Sequence, residues 1–545
     1  MSLIEWGLAL IATALAVAAH FLVLFNAGHL WRDEAVSVGL ATLPTIGGIW
    51  RDLQTDSFPL VWPLLLRVWA AIVGAGDDQG LRVLGFLIGV GLLAVLWFHA
   101  RQTAARVPLL GLAFLGIHSA VVCYGDSIRG YGLGIVTGAF TVAMLWRAVQ
   151  RSTPRNWALA LVVAFLSVHS VFHNAPFLFA SACGAVAVFL LRKRWKMIVL
   201  PLGIGVVCAL TLVPYSLTLS TAKQWTSIFR FPTTISRMWF KIGDTYRDMG
   251  TVPLIMWLWM IAAGAVLTAA LISPRIYKRL PSRNRELLLF SGVTMIVGIL
   301  GNLAFLWVLS YDMNPWYFLT TVTIVGISLD GIVCAFPGRR PRLIRVAVAG
   351  FMVIICAVPM FKTALERRTN IDWVAGEIAM RDDPGDVIVV DPWWVGYSFK
   401  REYVGSATWI TIPPLPFPHD PAEINHMGLR RQMQHPDAAM EPVLEKVRSA
   451  LLEGKRVWIV GDLAILPGRP KVKPLPPYNE SSPYKDGSYY DYWTSQLAAL
   501  LRDHAQTLKQ IPVDVGRSVS DYEDEKLYMA EGFQSQPSST RDSGL

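Results

Sequence analysis

Apolar runs recur along most of this chain, and several are long enough to cross a bilayer. They fall at 6–25, 81–99, 107–123, 130–148, 157–172, 176–191, 197–219, 251–273, 287–309, 316–336 and 344–362. A helix needs roughly 20 mostly apolar residues to span the hydrocarbon. Backbone polar groups inside lipid must be satisfied within the segment, so runs of this kind leave little besides a helical bundle. The expectation is a polytopic α-helical membrane protein with about eleven spans. A chain that is 53% hydrophobic and only 16% charged is excluded from the ordinary soluble class.

The net charge of +10 does not call for a nucleic acid partner. The excess lysine and arginine sits in short connections: Arg101/Arg106, Arg147/Arg151/Arg155, Arg192–Lys196, Arg275–Arg285 and Arg339–Arg345. Basic loops stay on the cytoplasmic side. The alternate connections then face outward: Tyr124–Tyr131, the turn around His173, Ser220–Gly250 and Tyr311–Trp316. The last run ends outside, so the rest of the chain is expected to be extracytoplasmic, on a bacterial cytoplasmic membrane protein. The first run lacks a basic leader and reads as an anchor. Parity hinges on Phe58–Gly74, an apolar stretch that carries Pro59, Pro63 and Arg67. It is read as an outer juxtamembrane helix lying at the interface.

After about Arg367 the composition turns to soluble α/β. Helices near Ile371–Met380, Pro442–Leu452 and Asp491–His504 alternate with strands near Val387–Val390, Arg456–Val460 and Lys526–Met529. A small sheet packed by helices is predicted. The domains are thus a membrane part over 1–365, an α/β domain over 366–533, and a polar tail over 534–545 expected to be disordered.

Four patterns carry possible chemistry. Trp31-Arg32-Asp33-Glu34 places two carboxylates just past the first run. They suit the cap of a following helix, and equally a general base that takes a proton from a hydroxyl. Tyr124-Gly-Asp126-Ser-Ile-Arg129-Gly-Tyr131 is an outward turn. Its arginine either pairs with Asp126 or faces a phosphate, whose oxygens its planar fork fits. His169 and His173, followed by Asn174, would share one face if they lie on a helix, either to hydrogen-bond or face substrate or simply to pack. Two imidazoles are too few for a metal site. Trp316-Tyr317 lies at a span boundary, where aromatics usually form a membrane belt, and the 223–247 segment mixes aromatic and basic residues as an interfacial loop does. The five cysteines show no CxxC or Cys/His spacing, so neither a disulfide framework nor a thiolate metal site is expected. No Walker or dinucleotide-binding glycine loop is present.

In order and spacing these patterns resemble the GT-C superfamily of membrane glycosyltransferases. The likeness is to the bacterial relatives of protein O-mannosyltransferases (glycosyltransferase family 39) and of the aminoarabinose transferase that modifies lipid A. It rests on WRDEAVS, on Asp56-Ser-Phe-Pro59-Leu60 through Trp69, Gly74 and Leu81-Arg82, and on the Tyr124–Tyr131 turn. Four positions depart from the usual pattern: Ser57-Phe58 where His-Pro is common, Trp316 in place of arginine, and Asp126 in place of glutamate.

The resemblance implies a GT-C-like catalytic part and a single inverting displacement on a polyprenyl-phosphate-linked sugar, without a metal. Asp33 would be the base, with Glu34 positioning the acceptor. Asp56, Arg67, Tyr124, Asp126, Arg129, Tyr131, His169, His173, Asn174 and Tyr317 would bind substrate, Arg129 holding the lipid phosphate. The acceptor would be a glycolipid, a polysaccharide or a protein, reached beside the bilayer. The alternatives are a flippase for lipid-linked saccharides and a membrane-anchored envelope assembly protein.

Overall fold

The computed structural model describes residues 2–53, 58–103, 105–218, 220, 234–309, 313–415, 426–463, 475 and 486–535. Among these, nine helices are long and apolar enough to cross a membrane: Leu3–Asn26, Asp78–Gln102, Gly130–Gln150, Asn174–Leu191, Trp195–Thr218, Thr251–Ile272, Ser282–Leu309, Pro315–Cys334 and Arg339–Leu365. The chain is an integral membrane protein. Its contacts divide it into two units. The first holds residues 2–26, 58–218 and 234–365, and the second holds 27–53, Ser220 and the described residues from 366 on.

In the first unit, helix Pro315–Cys334 is the most enclosed span. Residues Leu319–Ile332 are all buried, including Thr320, Thr321, Thr323, Ser328 and Asp330. Peripheral helices leave Val206, Leu210, Ile255, Trp259 and Val266 exposed, as faces solvated by lipid would be.

Two of the eleven apolar runs differ from the expected spans. The 157–172 run forms the shorter helix Pro154–Val168. The 107–123 run is broken into helix Leu109–Gly111, a π-turn over Leu112–Gly116, and helix Ser119–Gly125. Irregular backbone at membrane depth survives only where protein surrounds it, and Leu109–Ile117 are buried throughout. The Asp330 carboxylate accepts the Leu110 and Gly111 amides at 3.2 and 2.9 Å. Arg345 lies 3.8 Å from Asp330 and 2.9 Å from Glu5, and also reaches Cys334. The charges of this network therefore pair with one another and with the backbone they anchor.

The juxtamembrane stretch contains helix Val61–Val73. At ~1.5 Å per residue it reaches about 20 Å, short of the ~30 Å hydrocarbon. It buries Trp62, Leu66 and Ala70 and exposes Val68 and Ile72. Helix Ile235–Thr245 likewise exposes Trp239 and Phe240 while burying Met238. The part of the aromatic loop before Thr234 lies outside the described residues.

The second unit contains a five-stranded sheet: β1 Val387–Val390, β2 Thr408–Thr411, β3 Val457–Val460, β4 Ala505–Ile511 and β5 Leu527–Phe533. Its order is β2-β1-β3-β5-β4. β1 pairs in parallel with β2 and β3, while β5 runs antiparallel to β3 and β4. β1 and β3 are buried on both faces, which is why they read as unbroken apolar runs rather than alternating ones. Helices Ile371–Ala379 and Gly396–Glu402 cover one face through Ile371, Val374, Ile378 and Phe399. Helices Pro436–Leu452 and Asp486–His504 cover the other through Val443, Val447, Trp493 and Leu497. The polar tail falls outside the described residues, apart from Gln534 and Ser535.

Candidate functional site

Within the first unit the sequence motifs meet at the turn joining helix Ser119–Gly125 to helix Gly130–Gln150. The turn is closed by the Ser127 hydroxyl donating to the Tyr124 carbonyl at 2.7 Å and the Arg129 amide donating to Ser127 at 2.6 Å. Beneath it, the Asp126 carboxylate pairs with His20 Nδ1 at 2.8 Å through both oxygens, with both residues buried. Asp126 therefore anchors the turn to helix Leu3–Asn26. The pair joins residues 106 positions apart in the sequence.

Gly85 lets this anchor approach. A Cβ there would stand 2.0 Å from the Asp126 carbonyl oxygen. Neither backbone can yield without moving the turn. Gly85→Ala is expected to cost about 1–3 kcal/mol and to lower the midpoint of thermal unfolding in detergent. An unchanged midpoint would show that the turn is free to shift.

Arg129 is half-buried. Its guanidinium carbon lies 4.8 Å from the Phe58 ring centroid and 5.9 Å from that of Tyr131, a cation held against aromatic faces. Rings carry the contact onward: Phe58 to Tyr131 at 4.9 Å, Tyr131 to Tyr317 at 6.2 Å, and Tyr317 stacked on His173 at 5.3 Å. Tyr124 meets Trp316 edge-on at 5.2 Å. Tyr124, Arg129, Tyr131, His173 and Tyr317 are thus brought together, with Phe58 and Trp316 packed among them. Both ring nitrogens of His173 are buried and have no hydrogen-bond partner among the described residues.

His169 and His173 do not share a helix face. The helix ends at Val168 and resumes at Asn174. His169 instead bonds Tyr215 at 3.1 Å and Thr211 at 3.0 Å. Asn174 directs its amide to the Gly134 carbonyl at 2.8 Å and the Ser167 hydroxyl at 3.0 Å, which is helix packing. Arg67 is half-buried on helix Val61–Val73, and Asp56 lies outside the described residues. Within each unit, no three described His, Cys, Asp or Glu side chains converge as a cation site would require.

The acidic pair belongs to the second unit, at the start of helix Arg32–Ala41. Glu34 is fully buried and its carboxylate accepts the Trp31 amide at 3.4 Å, the return half of a capping box. Asp33 is half-buried, 3.4 Å from Arg32 Nε. The two acids therefore differ: Glu34 is committed to the helix start, while Asp33 keeps exposure. Sequence reading missed a group of buried carboxyls in this unit. Burial pushes Glu523 and Asp391 up to about 7, and pushes Glu525, which also feels Glu523, up to about 8. For Glu523 and Glu525 the signal was the acidic run before β5.

No family model matches the chain, and no curated protein matches it. Among solved structures it is similar to ArnT from Cupriavidus metallidurans bound to undecaprenyl phosphate, at 13% identity and a TM-score of 0.48, over 83% of this chain and 93% of that one. It is also similar to the Archaeoglobus fulgidus oligosaccharyltransferase, at 11% identity and a TM-score of 0.49, over 92% and 73% of the two chains. A third likeness is to the arabinosyltransferase EmbB from Mycobacterium smegmatis, at 12% identity and a TM-score of 0.34, over 64% and 40%. These likenesses concern the path of the backbone.

Proposed function

We propose that this chain is an inverting, GT-C-like glycosyltransferase that moves a sugar from a polyprenyl-phosphate-linked donor to an acceptor hydroxyl or phosphate. The reaction takes place at the outer face of the cytoplasmic membrane, and the second unit is extracytoplasmic. The observation that carries the reading is Arg129: a half-buried arginine laid on Phe58 and Tyr131 where two apolar helices meet. A cation so placed suits an anionic head on an apolar tail.

The step follows from that assignment. An acceptor O–H gives its proton to Asp33, and its oxygen attacks the anomeric carbon from the face opposite the phosphate. The bond from that carbon to the phosphate oxygen breaks, and polyprenyl phosphate leaves with the electron pair. Arg129 stabilises the charge that gathers on the leaving oxygen, the kind of term that dominates such reactions. Inversion follows from a single displacement.

Mass spectrometry of envelope glycolipids, polysaccharides and glycoproteins, with and without the protein, tests the reading. A species heavier by one sugar residue is expected only where the protein is present. Identical spectra, with lipid-linked saccharide accumulating on the cytoplasmic side of cells lacking it, would instead favour a flippase.

A further inference from the structure

We propose that Glu523 is a positioning residue that fixes the helix start bearing Asp33, so that the C-terminal part of the chain is the scaffold of the proton acceptor. This inference rests on Asp33 being the base.

The stretch 27–32 is bound at four places to residues of its own unit that lie far along the chain. The Arg368 amide donates to the Ala27 carbonyl at 2.9 Å. Gly28, at φ +74°, lies against the Arg367 guanidinium, where a Cβ would stand 2.7 Å away. That guanidinium is held in turn by Asp372 at 2.7 Å and the Thr369 carbonyl at 3.1 Å. His29 Nδ1 is 2.9 Å from Glu402.

The fourth tie is at the helix itself. The Arg32 amide, the first of helix Arg32–Ala41, donates to Glu523 Oε2 at 2.7 Å across 491 positions of sequence. A first-turn amide has no partner inside its own helix, so this donor depends on what the fold brings. Oε1 of Glu523 accepts the Thr369 hydroxyl at 3.2 Å and the Ser398 hydroxyl. Glu523 is thus buried with both oxygens used, joining helix Arg32–Ala41, the approach to helix Ile371–Ala379, and helix Gly396–Glu402. The Arg32 guanidinium rests 5.5 Å over Trp394, which keeps the same corner closed. Asp33 is the next residue, so its position follows the Arg32 backbone.

Removing the carboxylate frees that backbone. A reacting group misplaced by about 1 Å can lose on the order of 10²-fold in rate. Glu523→Ala is therefore expected to lower product formation by roughly 10- to 100-fold at matched membrane levels. The amides of 31–36 are expected to exchange hydrogen at least about tenfold faster, a change of about 1.4 kcal/mol in local opening. Glu523→Gln is expected to keep both properties near wild type. Its carbonyl can accept the Arg32 amide while its NH₂ donates to the two hydroxyls, which rotate to accept. A residue that only stabilised the unit would not link exchange at 31–36 to turnover in this way. If Glu523→Ala fails to fold, Glu523→Asp draws the carboxylate back by one methylene and is expected to raise exchange at Arg32.

Wild-type protection at 31–36, or a wild-type product level in a folded Glu523→Ala protein, overturns the proposal. Asp33→Asn in the same assay separates the two ideas. If it is inactive while Glu523→Ala is normal, only the positioning role falls. If it is active, the base assignment falls, and hydrogen exchange still decides whether Glu523 holds the helix start.

Discussion

Asp33→Asn is expected to cut sugar transfer by about 10²- to 10⁴-fold, the range that a positioned general base contributes, in a protein that still inserts and folds. The substitution is isosteric and removes the ability to take a proton together with the negative charge that faces Arg32. Asp33 is half-buried beside Arg32, and an ion pair of this exposure is worth about 0–1 kcal/mol, so stability should hardly change. Glu34 gives the contrast. It is fully buried and its carboxylate accepts the Trp31 amide. Glu34→Ala is therefore expected to loosen the helix start by about 0.5–2 kcal/mol, the range for losing a cap, and to affect transfer only through position. The check is product mass spectrometry at matched membrane levels together with thermal unfolding of both variants. Near-normal transfer by Asp33→Asn would remove the base assignment. Glu34→Gln more damaging than Asp33→Asn would exchange the two roles.

How much of this was legible follows from which forces leave a trace in sequence. The spans and the two central strands were plain because burial on all sides produces unbroken apolar runs, as in VIVV at 387–390 and VWIV at 457–460. The edge strands were not. Thr408–Thr411 is partly exposed, and Ala505–Ile511 is interrupted by Gln506-Thr507 and Lys509-Gln510, so neither carries an apolar signature. The 107–123 run looked like a span because apolarity reports burial and not regularity. The short helix ahead of its π-turn is held by Asp330, a residue more than 200 positions away.

The candidate site divides in the same way. Arg129, Tyr131, His173 and Tyr317 were singled out by the order of the motifs, and the structure brings their side chains together. The different employments of Asp126, His169 and Asn174 were not visible, because His20, Tyr215 and Gly134 are brought to them by tertiary packing. Glu523 lies furthest from view. Nothing local to SDYEDEK reveals that one of its acids meets the amide of Arg32.

The phosphate contact proposed for Arg129 carries the second expectation. Arg129→Ala is expected to weaken binding of undecaprenyl phosphate by roughly 10- to 150-fold, since hydrogen bonds to charged groups contribute about 1.5–3 kcal/mol. Titration of the lipid into purified protein in nanodiscs measures it. Arg129→Lys keeps the charge but not the planar fork, and should fall between alanine and wild type. The half-buried position argues for the upper part of this range, because a phosphate meeting a partly desolvated cation feels less screening than at an open surface. The aromatic contacts make a second, separable expectation. Phe58→Leu leaves the charge intact and withdraws the ring 4.8 Å from the guanidinium carbon. Its cost should be no more than the roughly 0.5–2 kcal/mol of a cation–π contact, seen as weaker lipid binding with Arg129 still present. If Arg129→Ala binds undecaprenyl phosphate as wild type does while Phe58→Leu weakens it, the rings serve the lipid chain directly and the arginine is a structural clasp. If Arg129→Ala alone weakens binding, the phosphate belongs to the arginine.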